Sequence, residues 1–336
     1  MRIKRSTIKC LAKTVLPIAL VAGSYYLGLK ALNNAHDVYS PNRHYPKSLQ
    51  HYSQSSQKSE KTLEEKLTED IKPVNNEILK EGHTNDCFYV KPVYLENSNK
   101  PRVILIADNH DISNKRDDYP NFIEILTKHV DSFGVEFGYT GENPLKGYIE
   151  LTNIVFEKFG YPTIDEAYTK NNSKTIKKLY EINSEIYSVE CRENILEGTF
   201  LVKLAENFEK GKEKLKDREE LEKYLELYKF VKDNFSCNLH DIDKIEEISP
   251  NITRATYESM DKRSDIAPNN IEKYFNSNTN KTTAIIYGGY HIPEVSHSLK
   301  QKDIPHIIIS TKGIDELVSK EKQKNQSIQQ QSLHGN

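Results

Sequence analysis

The chain has 336 residues, of which 29% are charged and 36% hydrophobic, and its formal net charge is -2; that balance suits one substantial globular domain with extensions. No long basic run lies beyond the first residues, so the chain lacks the electrostatic footprint of a nucleic-acid binder. Its cysteines, Cys10, Cys87, Cys191 and Cys237, include no C-x-x-C spacing, which argues against a structural zinc site.

At the start of the chain Arg2, Lys4, Arg5, Lys9 and Lys13 precede an uncharged run from Thr14 to Leu29. Basic and then apolar is the order of a membrane anchor or signal segment, and no clean small-x-small cleavage site follows. Residues 1–32 are therefore expected to be a single-pass anchor with the basic end cytoplasmic and the C-terminal domain outside; a cleaved segment would give a secreted domain. Residues 33–84 read as a tether, mostly disordered. From Asn33 to Glu60 the composition is Ser, Gln, Asn, His and Tyr with almost no aliphatic side chains, too little to bury. A short helix is expected at Thr62 to Leu79. The domain proper spans residues 85–318, and the Lys- and Gln-rich residues 319–336 read as a second disordered tail.

Within the domain, apolar runs predict strands at Arg102 to Ile106, Ser132 to Glu136, Ile186 to Glu190, Thr283 to Tyr287 and Ile307 to Ile309. Helical periodicity is expected at Asn121 to His129, Glu150 to Phe159, Ile164 to Tyr168 and Lys174 to Asn183, then in one or two charged helices from Ile195 to Phe235. Further helices are expected at Asn269 to Phe275 and Glu294 to Lys302, while Pro268 disfavours a helix through the segment KRSDIAPNNIEKYF that carries Arg263. The fold class is α/β, a mostly parallel central sheet flanked by helices, with a long helical insertion.

Two of the strands end alike. Arg102 to Ile106 runs into Ala107-Asp108-Asn109-His110, and Thr283 to Tyr287 runs into Gly288-Gly289-Tyr290-His291 followed by Pro293 and Glu294. Each delivers a histidine just past a strand's carboxyl end, where open α/β sheets place ligands. Glu136 and Glu190 also follow strands. Glu136, between Val135 and Phe137, is either at an exposed strand end or buried with a partner, since an unpaired buried carboxylate is costly. Glu190 is followed by Arg192, so it reads either as half of an ion pair or as a binding group. His110 has a plain reading too, as a turn residue capped by Asp108 and Asp111, and His297 is placed on the surface.

ADNH and GGYHIPEV, with VEFG between them, resemble the erythromycin esterase and ChaN-like superfamily and are similar in pattern to its TraB/Tiki branch. Ala107 departs from the glycine of the first motif, and Asp108 stands where ChaN-like proteins have glutamate. The resemblance covers the two ends of the domain. It implies a metal-dependent hydrolase, a peptidase acting on a peptide or protein substrate, with a divalent ion (Mn, Co or Zn) held by His110, His291 and Glu136, the last as ligand or general base. The segment of Arg263 resembles the Arg-rich helix start before the second motif of TraB-like proteins, so Arg263 could hold a substrate carboxylate or oxyanion; Asp108 and Glu190 are further candidate substrate-binding residues. Two alternatives remain: a ChaN-like, non-catalytic haem- or iron-binding module, and metal-free hydrolysis with one histidine as base, as in the erythromycin esterase branch.

Overall fold

A computed structural model describes residues 61–94, 102–109, 118–136, 144–182, 185–211, 214–278 and 281–334 of the chain. Its centre is a six-stranded sheet of β1 (Phe88–Tyr94), β2 (Val103–Asp108), β3 (Ser132–Val135), β4 (Glu185–Ser188), β5 (Thr283–Gly288) and β6 (His306–Thr311), ordered β1-β6-β2-β5-β3-β4. All neighbours run parallel except β1, which lies antiparallel on β6. The sheet is thus mostly parallel and helix-flanked. The strand β1 was not expected; Lys91 and Pro92 interrupt its apolar pattern, and both suit an edge.

Alternate side chains divide the sheet between two cores. Ile104, Ile106, Phe133, Val135, Ala284 and Ile286 face one layer, packed by α1 (Leu63–Lys80), α2 (Asp118–Leu126), α3 (Pro144–Lys158) and α5 (Lys174–Glu181), with α4 (Glu166–Asn172) alongside α5. Val103, Leu105, Ala107, Ile285 and Tyr287 face the other, packed by α8 (Ile248–Ser277), α9 (Ile292–Gln301) and the start of α10 (Lys312–His334). The connections out of β2 and β3 cover the first face and those out of β4 and β5 the second, as a uniform crossover hand requires when the chain reverses direction along the sheet. In β3 the backbone approach needs Gly134, because a Cβ there would lie 2.5 Å from Ile285 Cδ1.

Residues 192–247 form a helical unit of α6 (Arg192–Gly211) and α7 (Arg218–Asn234), which share a third core with Val155 of α3 and Ile248, Ile252 and Ala255 of α8. Inside it Lys203 is buried, donates to Glu206 at 3.0 Å and lies 5.6 Å from the centre of the Phe156 ring. The unit therefore braces α8, the helix that carries Arg263.

Three stretches differ from expectation. Helix α1 does not belong to a tether: its capping box of Thr62 and Glu65 starts a helix whose Leu67, Ile71, Val74 and Ile78 are all buried on the first face. Residues after Ser319 continue α10 to His334, with Asn325 buried against the fold. Pro268 does not begin a helix; α8 runs through it unbroken from Ile248, held by packing on both sides. Among the described residues, Cys87, Cys191 and Cys237 form no disulfide. Among the described residues no helix is long and apolar enough to cross a membrane; the expected anchor, Thr14 to Leu29, lies outside them.

Candidate active site

The site lies where β5 ends. Strands β2 and β3 flank β5 and send their outgoing connections over one face, whereas β5 sends its own over the other. Such a reversal leaves a crevice beyond the carboxyl ends of the strands. Four residues singled out from the sequence meet there: Glu136 just after β3, Glu190 just after β4, Arg263 from α8 and His291 after β5.

Arg263 holds two carboxylates at once. Its Nε donates to both oxygens of Glu190, at 2.8 and 2.9 Å, and its Nη2 donates to Glu136 Oε1 at 2.6 Å. The other Glu136 oxygen, Oε2, accepts from the Gly288 amide at 2.6 Å. Tyr287, the penultimate residue of β5, donates its hydroxyl to Glu190 Oε1 at 2.5 Å. Glu136, Glu190, Arg263 and Tyr287 are all buried. Burial above all raises the Glu190 carboxyl, against the downward pull of the guanidinium and with the charge of Glu136 pushing upward too, to a net value of about 7. Desolvation outweighs the ion pair because the side chain is enclosed on all sides. The same burial, reinforced by Glu190, lifts the Tyr287 phenol well above its ordinary value.

His291 ends a short helical turn, Gly289–His291, between β5 and α9. Its ring stacks on Tyr287 with centroids 4.6 Å apart, and its Nδ1 lies 2.7 Å from Ser264 Oγ. That hydroxyl donates to the Met260 carbonyl at 3.0 Å; with its hydrogen so directed, Nδ1 is the donor to Ser264, and a neutral ring in that tautomer carries its lone pair on Nε2. Pro268 lies one turn further along α8 and has no N–H to offer the Ser264 carbonyl. At Gly288 a Cβ would be 3.0 Å from Glu136 Oε2 and 3.4 Å from His291 Cδ2, so glycine there lets the carboxylate and the imidazole edge close over the backbone. Gly288 is half-buried.

Compared with protein-family models, curated proteins and solved structures, the chain matches none.

The remaining candidates lie elsewhere. Asp108 ends β2 on the opposite face of the sheet, beside the buried Tyr119 hydroxyl, whose pKa is raised by burial and then by the Asp108 charge. His110 lies outside the described residues. His297 is a surface residue whose Nε2 meets Gln301 at 2.9 Å. Glu190 pairs with Arg263 rather than with its near neighbour Arg192, which is exposed at the start of α6. Sequence reasoning missed Tyr287 and Ser264. Tyr287 is hidden in an apolar strand; Ser264 had a signal, its place next to Arg263. On the far side of Gly289 a groove of about 350 Å³ opens between β1, α9 and α10, walled by Ala107, Gly289, Ile308 and Val318; His291 does not line it.

Both Glu136 oxygens accept from N–H donors, one of them a guanidinium whose positive charge opposes a dication. Among the described residues no group of three His, Cys, Asp or Glu could hold a metal; His110, one of the ligands that the resemblance implies, lies outside them.

Proposed function

We propose that the chain is a hydrolase of amide or ester bonds in a peptide or protein substrate, anchored through its N-terminal apolar segment with the domain outside the cytoplasm, and that His291 is its general base. The observation that carries this reading is the His291 environment: a buried imidazole held at Nδ1 by Ser264, stacked on Tyr287 and flanking Gly288 together with Glu136 in the crevice beyond β5. Nε2 takes a proton from water as the water oxygen attacks the substrate carbonyl. The imidazolium then returns that proton to the leaving nitrogen or oxygen as the carbon–heteroatom bond breaks, so the ring ends neutral. Arg263 contributes positive charge near the developing oxyanion, and Glu136 and Glu190 hold its guanidinium in place.

The test is a panel of fluorogenic peptides and aryl esters, turned over by the full chain with and without a chelator, and by His291→Ala. Losing a general base costs about 10²–10⁴-fold in rate, so turnover should fall by at least roughly 100-fold in the variant and be indifferent to the chelator. Turnover that the chelator abolishes would replace this mechanism with a metal-dependent one. His291→Ala retaining wild-type turnover would remove the histidine from the chemistry.

A further inference from the structure

The turn that carries His291 is gripped from a direction the mechanism does not use. Tyr290, the preceding residue, meets the His291 ring edge-on with centroids 5.7 Å apart and planes at 85°. Its hydroxyl donates to Asp261 Oδ1 at 3.0 Å and accepts from Asn325 Nδ2 at 2.9 Å. A phenol has one hydrogen to give; with the donor role committed to Asp261 and an acceptor role to Asn325, the Tyr290 hydroxyl, and with it the long axis of the ring, is held in one place. Asn325 also donates to Asp261 Oδ2 at 3.3 Å, closing a three-membered network. Asp261 sits on α8 a turn before Ser264, so one helix holds both residues of the Tyr290-His291 pair. Asn325 comes from α10, far along a helix whose first turns press the same loop from beside it: a Cβ on Gly289 would lie 2.6 Å from Ile314 Cγ2 and 3.3 Å from Val318 Cγ2. Lys322 lies 4.6 Å over the Tyr290 ring and pairs with Glu294 at the start of α9.

We infer that Asn325 and Asp261, acting through the Tyr290 hydroxyl, are positioning residues that fix the orientation of the His291 imidazole, and that α10 is therefore part of the working site. The inference rests on His291 being the general base for its consequence in rate, but its geometry can be read without any substrate.

The experiment compares the full chain with Asn325→Leu and Tyr290→Phe, using the histidine ring-nitrogen NMR signals at one neutral pH and assigning His291 by its loss in His291→Ala. Asp315→Ala serves as a control: Asp315 ties the first turn of α10 to Ser310 and Tyr89, away from Tyr290. Expected in Asn325→Leu and Tyr290→Phe are His291 nitrogen shifts moving from those of one tautomer toward averaged values, with kcat down by roughly 10-fold and KM nearly unchanged. Asp315→Ala should leave the shifts in place even where it lowers the melting temperature. Shifts that move in a chain turning over no substrate would support the positioning and overturn the hydrolase reading. Shifts that stay in place in both variants, or that move equally in the control, overturn the positioning.

Discussion

Replacing Arg263 with methionine removes the guanidinium that two buried carboxylates share. Glu136 is 7% exposed and Glu190 1%, and Arg263 reaches them at 2.6 and 2.8 Å, so neither can turn to water when it goes. Removing one partner of a buried pair costs about 3–5 kcal/mol, because charge is left uncompensated. For a domain of this size that corresponds to a fall in melting temperature of roughly 6–20 °C. The cost depends on pH in a defined direction. With Arg263 in place the Glu190 pKa is about 7, held down by the guanidinium; without it the carboxyl holds its proton to higher pH, so the penalty grows as pH rises through 7, where wild type would ionise Glu190 against the guanidinium. Urea denaturation of wild type and Arg263→Met at both values is the assay, with the larger penalty expected at pH 8. Adding Glu190→Gln to Arg263→Met should recover at least about 1 kcal/mol at pH 8 by removing one of the two stranded carboxyl groups. A penalty under about 1 kcal/mol at pH 8, or one equal at pH 5 and pH 8, would refute the shared-cation account.

Other outcomes follow from the same geometry. In wild type the raised Glu190 pKa means the folded state binds the proton more tightly than the unfolded chain does; the resulting stability is fully present below an ordinary carboxyl value near 4.5 and is lost as pH rises through about 7. Glu190→Gln should flatten that decline, and an unchanged pH dependence would show that Glu190 is not its source. Gly288→Ala places a Cβ 3.0 Å from Glu136 Oε2, which should cost about 1–3 kcal/mol by overpacking and displace the carboxylate from the Gly288 amide; denaturation and turnover both report it. Ile71→Ala empties a core position on α1 and should cost about 2–5 kcal/mol, where a tether residue would cost nothing measurable.

The strand Thr283 to Tyr287 was legible because both of its faces are apolar and glycines follow, and it recurs in the fold with one residue added. The carboxyl-edge placement of Glu136, Glu190 and His291 followed from the same logic of parallel strands. What joins them was not legible: Arg263 is 127 residues from Glu136 and 73 from Glu190, and no local pattern records a contact between elements that distant. The neighbouring Arg192 offered a nearer but wrong partner for Glu190. Pro268 misled for a physical reason, since intrinsic propensity ends a helix there while packing against α6 and β5 carries α8 through. Helix α1 was foreseen as a helix and not as core, because its four buried aliphatics are spread among charged residues. Asn325 was lost in a Lys- and Gln-rich segment whose composition says nothing of the Tyr290 hydroxyl it meets.

The strand order also governs how the protein can be made. Strands β2 and β3 leave the ribosome early, yet each waits for β5 to fill the gap between them, and β1 waits for β6, the last strand of all. Until Thr283 to Gly288 have been synthesised, the nascent chain carries β2 bare on both edges and β3 bare on one, strands rich in valine, isoleucine and phenylalanine that invite association with other chains. Shielding by a chaperone, or threading of the unfolded chain across a membrane, would span that interval. Chains stalled ahead of Thr283 should be protease-sensitive and aggregate, with protection arising in one step once Thr311 has emerged; protection of an earlier intermediate would show that the half-sheet is stable without its keystone.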